Sequence, residues 1–163
     1  FFDEQRMSRL YEKFILEYYR REHPRLRASA SFVEWALDDG MSDGLPAMRS
    51  DITLSARDRV LIIDAKYYAS TMQSNFEKRT VHSGNLYQIF AYVKNKQVAL
   101  ERLGEGTEVA GMLLYAATDE EIQPDFTYRM SGNRIGATTL DLDLPFEQTR
   151  AQLDGIAEEY FPE

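Results

Sequence analysis

The run Val60-Leu61-Ile62-Ile63-Asp64-Ala65-Lys66-Tyr67-Tyr68 decides the fold of this chain. Four aliphatic residues in succession, preceded by a polar turn, read as a buried strand. Side chains alternate across a strand, so Asp64 and Lys66 share one face and Leu61, Ile63 and Ala65 the other. Two charges at the end of so apolar a strand are costly unless they are paired or hold a metal. Upstream, Ser50-Asp51-Ile52-Thr53-Leu54-Ser55 reads as a second strand, joined to the first by the four-residue turn Ala56-Arg57-Asp58-Arg59. Pairing Ser55 with Val60 sets Asp51 opposite Asp64. Directly opposed residues have Cβ atoms about 4.5–5.5 Å apart, and like charges there repel. Ile52 and Leu54 then face the core with Ile63 and Ala65, which assigns both acids to the non-core face.

A divalent cation relieves that repulsion. Asp51, Asp64 and the backbone carbonyl of Ala65 make a set of hard oxygen donors suited to Mg²⁺. Lys66 beside them can orient or help deprotonate an attacking water, or stabilise charge developing on a phosphate. An acid followed by Asp-x-Lys at a hairpin end is the arrangement of metal-dependent nucleases. The competing reading is a surface hairpin with a cross-strand ion pair; the apolar strand and the correctly spaced upstream acid favour the metal site.

Other residues gather around this pair of strands. Gln88 and Tyr92 are four apart on the following helix and share a face with Asn85, a polar stripe able to bond the lysine, a water or a phosphate. Glu12, at the edge of the first helix's apolar stripe, is a further candidate catalytic acid and metal ligand, with Glu17 a weaker rival on the opposite flank. His82 reads as a loop or helix-start contact and Ser83 as an N-cap. Tyr67 and Tyr68 read as core or rim packing in preference to stacking on bases.

The 163 residues suit one domain with a true core. Net charge is −8, unevenly spread: residues 1–100 hold 15 basic and 13 acidic side chains, or +2, and residues 101–163 hold 4 and 14, or −10. Basic groups cluster at Arg20, Arg21, Arg25 and Arg27 and at Lys78 and Arg79. A broad basic field is lacking, so strong autonomous DNA affinity is not expected. The chain has 0 Cys, which removes disulfides and Cys-based zinc sites and suits a cytoplasmic setting. No apolar run approaches membrane-spanning length, so no membrane association is expected. The start lacks Met and any signal pattern, so a fragment of a longer chain is expected.

Elsewhere the pattern predicts an α/β fold, a mixed central sheet flanked by helices. A helix spans Asp3 to Glu22, with Met7, Leu10, Tyr11, Phe14, Ile15 and Tyr18 inward. A strand covers Phe32 to Leu37, loops cover Asp38 to Leu45 and, as a polar mobile segment, Ala69 to Thr80. A helix runs from Leu86 to Leu103 and a strand from Val109 to Ala117. Asp125–Met130 and Arg134–Leu144 form a hairpin around Ser131-Gly132-Asn133, and a helix over Phe146 to Phe161 closes the chain.

Leu45-Pro46-Ala47-Met48-Arg49-Ser50-Asp51-Ile52-Thr53-Leu54, Leu61-Ile62-Ile63-Asp64-Ala65-Lys66-Tyr67-Tyr68 and His82-Ser83-Gly84-Asn85-Leu86-Tyr87-Gln88 together resemble the nuclease domain of the McrC family, the endonuclease subunit of modified-cytosine restriction systems. Leu10-Tyr11-Glu12-Lys13-Phe14 and Gly111-Met112-Leu113-Leu114-Tyr115 extend the resemblance over nearly the whole chain. It implies a restriction-endonuclease-like PD-(D/E)xK fold, one nuclease domain over residues 1–163, and DNA cleavage dependent on one or two Mg²⁺ ions. It maps catalytic positions onto Asp51, Asp64 and Lys66, with Gln88 supporting. Ser50 stands where the broader superfamily often has Pro, though McrC-like proteins commonly carry a small hydroxyl residue there. The family also has an N-terminal region, expected to be absent from this stretch, that engages McrB, a ring-forming GTPase recognising DNA with 5-methylcytosine. This chain has no G-x-x-x-x-G-K-[ST] loop, so GTP binding is not expected in it. Double-strand cleavage would require two active sites and hence a transient homodimer. The alternatives are a RecB-like repair nuclease of the same fold and a non-catalytic docking domain. A two-carboxylate glycosidase fits poorly, since Lys66 has no part in it and the carboxyls stand too close.

Overall fold

The computed structural model describes residues 2–68, 72–75 and 78–163, without the side chains of 2, 72–75 and 78–80. Helix α1 (Phe2–Glu22) is followed by a 3-10 turn at Pro24–Leu26, then β1 (Phe32–Val33), β2 (Met48–Arg49), β3 (Ile52–Ala56) and β4 (Arg59–Lys66). Next come β5 (Met72–Asn75), β6 (Lys78–Val81), α2 (Ser83–Arg102), β7 (Glu108–Ala116), β8 (Phe126–Met130), β9 (Asn133–Leu140) and α3 (Phe146–Tyr160). The result is an α/β fold around a mixed five-stranded sheet of order β3-β4-β7-β9-β8. β4, β7 and β9 run parallel in its centre, and β3 and β8 pair antiparallel at its edges.

Helices cover both faces. On one, Tyr11, Ile15 and Tyr19 of α1 and Leu153 and Ala157 of α3 pack on Ile52, Leu54, Leu61 and Ile63. On the other, Ile89 and Val93 of α2 pack on Val60, Ile62 and Leu113. Burial on both faces explains why β4 reads as an uninterrupted apolar run. It also corrects one expectation: the face carrying Asp64 is not a non-core face but a second core, roofed by α2. Gly111 of β7 permits the close approach of that roof, because a Cβ there would lie 2.6 Å from Val93 Cγ2. At the hairpin tip Ser131 (φ 53°) and Gly132 (φ 85°) adopt the left-handed conformations of a tight two-residue turn.

Several local expectations need correction. Met7 and Leu10 are exposed, while Tyr19, outside the expected stripe, is fully buried; the buried face of α1 runs through Tyr11, Ile15, Tyr18 and Tyr19. The strand expected over Phe32 to Leu37 has only two paired residues, because Trp35 donates to the Pro46 carbonyl (2.7 Å) and the Ala36 N–H to Asn95 Oδ1 (2.8 Å) instead of a ladder. The β3–β4 turn has two residues, with Ala56 paired to Arg59 and Arg57 at φ 55°. The segment expected as a loop from Ala69 to Thr80 contains the antiparallel ribbon β5–β6; residues 69–71 and 76–77 lie outside the described ones. Ser83 is the first helical residue of α2 rather than its cap; His82 holds the cap position, and its carbonyl accepts the Leu86 N–H at 3.1 Å.

Candidate active site

β3 and β4 run antiparallel, so the start of β3 meets the end of β4. The ladder runs from Ala56↔Arg59 to Ile52↔Ile63, and one step further brings Asp51 opposite Asp64. Asp51 lies just past the paired strand, and its Oδ2 accepts the Ala65 N–H at 2.9 Å. The carboxylate thus takes the place of a backbone carbonyl in the ladder. N–H and C=O of one strand residue face the same neighbour, so the Ala65 carbonyl faces this open edge too. Ser50, 1% exposed, fixes the backbone leading in: its N–H donates to the Ser31 carbonyl (2.8 Å) and its Oγ lies 2.6 Å from Thr53 Oγ1.

Asp64 is 4% exposed, and its Oδ2 has no directed hydrogen bond. Lys66 Nζ lies 3.2 Å from that oxygen, close enough for an ion pair but without hydrogen-bond geometry. The lysine instead donates to Gln88 Oε1 at 3.0 Å, and Gln88 Nε2 donates to Tyr92 Oη at 2.9 Å. α2 therefore aims Lys66 through a relay of two of its own side chains. Asn85 turns inward instead: it is buried, donates to Tyr115 Oη at 3.0 Å and accepts from Tyr68 Oη at 3.3 Å. It ties α2 to β7, and it does not reach the lysine as the stripe suggested. Sequence reading gave no role to Tyr115; its place in register with Lys66 on the parallel neighbour strand is the signal that finds it.

The electrostatics follow from crowding of like charge. Burial, the adjacent Asp64 and then Glu12 raise the Asp51 carboxyl far above the ordinary range, against the Ala65 hydrogen bond that lowers it. Burial followed by the charge of Asp64 also raises Glu12, while Lys66, Arg49 and Arg9 act against that. Glu12 therefore faces the site from α1. It does not close an all-carboxylate cage, since no three His, Cys, Asp or Glu side chains converge on one ion position among the described residues. Burial opposes the charge on Lys66, but Asp64, Tyr68 and Asp51 outweigh it and raise its pKa. It is therefore an ammonium, a donor rather than a base.

Other sequence candidates fall outside this cluster. Glu17 pairs with Arg20 at 3.0 Å on the exposed flank of α1. Arg25 donates to the Phe161 carbonyl (3.3 Å), and the side chains of Lys78 and Arg79 lie outside the described ones. Tyr67 packs on Tyr11 (centroids 6.0 Å apart) and Tyr68 on His82 (5.7 Å), as rim packing requires. A cavity of about 340 Å³ opens at the opposite end of the sheet, by Arg59, Glu108 and Asn133. Its polar groups are largely paired with each other, Arg59 with Glu108 and Lys94 with Asn133.

Fold and site together define an α/β domain with a carboxylate–lysine cluster where an edge hairpin opens. Residues 5–116 match the family described as McrBC 5-methylcytosine restriction system component, and the chain belongs to that family. It is 31% identical over 161 residues to the type IV methyl-directed restriction enzyme EcoKMcrBC of Escherichia coli (strain K12). That match covers 97% of this chain and 44% of the relative, so the chain spans less than half of the relative's length. Among the described residues no helix is long and apolar enough to cross a membrane.

Proposed function

We propose that this chain is the DNA-cutting domain of a modification-dependent restriction complex, a PD-(D/E)xK nuclease using Mg²⁺. The observation that carries the reading is Asp64 Oδ2, a buried oxygen with no directed hydrogen bond, set against the opposed carboxylate of Asp51. The Lys66 ammonium, 3.2 Å away and out of hydrogen-bond geometry, is one positive charge against two opposed buried carboxylates, and the remaining imbalance calls for an explanation. A hard cation supplies it: Asp51, Asp64 and the Ala65 carbonyl would hold it, with Glu12, whose charge is felt by Asp51, a further candidate ligand directly or through water.

When bound, Mg²⁺ would lower the pKa of water and polarise the phosphodiester. The chain's own residues do the rest. Asp51 and Asp64 fix where the scissile phosphate enters. Lys66, aimed by Gln88 and Tyr92, presents an N–H to oxygen atoms that gain charge as the phosphate is attacked, the form of assistance that preorganised donors give. The α2 roof keeps this ammonium half-buried, where its charge is worth more than in water.

DNA containing 5-methylcytosine is the substrate suggested by family membership, and a McrB-like ring-forming GTPase is the partner that would deliver it. Delivery by a partner accords with a net charge of −8. Two copies acting transiently together would cut both strands. The test is plasmid cleavage in Mg²⁺, with and without the ring partner and GTP, comparing the natural chain with Asp64→Ala. Cleavage by the natural chain and its loss in the variant, with an unchanged melting profile, supports the reading. Equal cleavage by both would overturn it, and no cleavage under any condition would favour a docking domain.

A further inference from the structure

We propose that Arg49, seated on the exposed ring of Phe32, grips a backbone phosphate of the DNA strand beside the one presented to Asp51 and Asp64. This rests on the nuclease reading and adds a binding surface to it. β1 and β2 pair Phe32 with Arg49 and Val33 with Met48. Val33 and Met48 are buried in the α2-side core, so alternation sends Phe32 and Arg49 to the α1 side. There Phe32 is 68% exposed, which solvent alone does not reward in so large an apolar ring. The Arg49 guanidinium carbon lies 5.7 Å from the ring centroid, within cation–π range. The ring orders the arginine and leaves its N–H donors to a ligand.

Arg49 stands two residues before Asp51, at the bend that joins β2 to β3, so their Cα atoms are at most about 7 Å apart. The intervening Ser50 is locked by Ser31 and Thr53, so Arg49 and Asp51 are held in fixed relation. Across from it, α1 presents Arg9 one turn before Glu12, and Glu12 feels both guanidinium charges. Among the described residues Arg49 forms no ion pair with a carboxylate; its guanidinium rests on the ring, and its charge is felt by Glu12. A planar fork of donors over an exposed aromatic matches a nucleotide: the fork takes phosphate oxygens, and the ring takes the adjoining sugar or base. An acidic protein segment would use the arginine but leave the ring unexplained.

The experiment is fluorescence anisotropy of a labelled DNA duplex with this chain in EDTA across a salt series, for the natural chain, Arg49→Ala, Arg49→Lys and Phe32→Ala. Plasmid cleavage in Mg²⁺ over a range of DNA concentrations runs beside it. One lost phosphate contact lowers the slope of log affinity against log salt by about 1, and Arg49→Ala should show that loss. Arg49→Lys should keep the slope while losing affinity, Phe32→Ala should lose affinity at unchanged slope, and the cleavage defect of Arg49→Ala should fall on KM more than on kcat. Unchanged affinity and slope in Arg49→Ala would overturn the proposal, as would a defect in kcat alone, or no DNA binding by the natural chain. Both side chains being exposed, melting curves should coincide; if Arg49→Ala melts early, Arg49→Gln, which keeps most of the side chain and loses its charge, carries the slope comparison. An Arg49-dependent slope without cleavage would remove the nuclease reading and leave the grip standing. Cleavage with an Arg49-independent slope would do the reverse.

Discussion

The Asp51 carboxylate accepts the Ala65 backbone N–H at 2.9 Å, across the open end of the β3–β4 ladder. One bond does two jobs. It caps a strand edge that would otherwise leave an N–H unmatched, and it fixes one carboxylate at the strand end opposite Asp64.

Metal-free stability should fall as pH rises. The folded Asp51 carboxyl titrates above its unfolded value of about 4, so its contribution is fully present below that value and is lost as pH rises through the raised folded one. Melting temperature in EDTA should therefore decline across this window, and Asp51→Asn should flatten the decline. Mg²⁺ competes with the proton, so the rise in melting temperature on adding it should be larger at alkaline than at mildly acidic pH. Differential scanning fluorimetry across pH checks both.

Gln88→Ala should leave the fold intact and slow cleavage by about 10–100-fold, the usual cost of losing a partner that orients a residue at a metal site. Gln88 holds the Lys66 ammonium at 3.0 Å, and the charge itself survives the change. Lys66→Ala should cost more than Gln88→Ala. Single-turnover rates on plasmid DNA separate the two.

Gly111→Ala should destabilise the domain by about 1–3 kcal/mol, the range for overfilling a packed core. The new methyl would meet Val93 Cγ2 at 2.6 Å and Ile89 Cγ1 at 2.8 Å. Because α2 also carries Gln88, cleavage should fall as well, even where the fold survives. Urea denaturation followed by activity under folding conditions reads both effects.

Asp154 joins α3 to α1, accepting from Tyr18 Oη at 2.6 Å and lying 2.7 Å from His23 Nε2. Burial alone would raise its pKa, but Tyr18 and His23 outweigh burial and lower it. A carboxyl lowered in the folded state contributes stability above its unfolded pKa and loses it as pH falls through the folded value. Asp154→Asn should therefore weaken the domain by about 1 kcal/mol at neutral pH, a modest figure because the group is partly exposed. The deficit should shrink in acid, which urea titrations at two pH values measure.

The centre of this fold is legible because few alternatives fit it. Period-2 patterning, a short turn and an apolar run leave one register for β3 and β4, and that register places Asp51 opposite Asp64. Less legible was what covers each face. An apolar run reads the same whether one face or both are roofed, so the α2-side core behind Asp64 went unseen. Met7 and Leu10 match the helical period yet are exposed, and helix periodicity alone does not fix the edges of the buried stripe. Asn85 turned inward to Tyr115 because a buried hydroxyl on β7 needed a donor, a long-range requirement that local pattern does not record. The β5–β6 ribbon is polar in sequence, and polarity alone suggested a loop.

The most direct measurement is an anomalous difference map from crystals of this chain soaked in Mn²⁺, which takes the same hard oxygen donors as Mg²⁺. The account expects a peak bounded by Asp51, Asp64 and the Ala65 carbonyl, absent in Asp64→Ala crystals treated alike. A metal bound elsewhere, or these three groups left empty in well-diffracting soaked crystals, would contradict it.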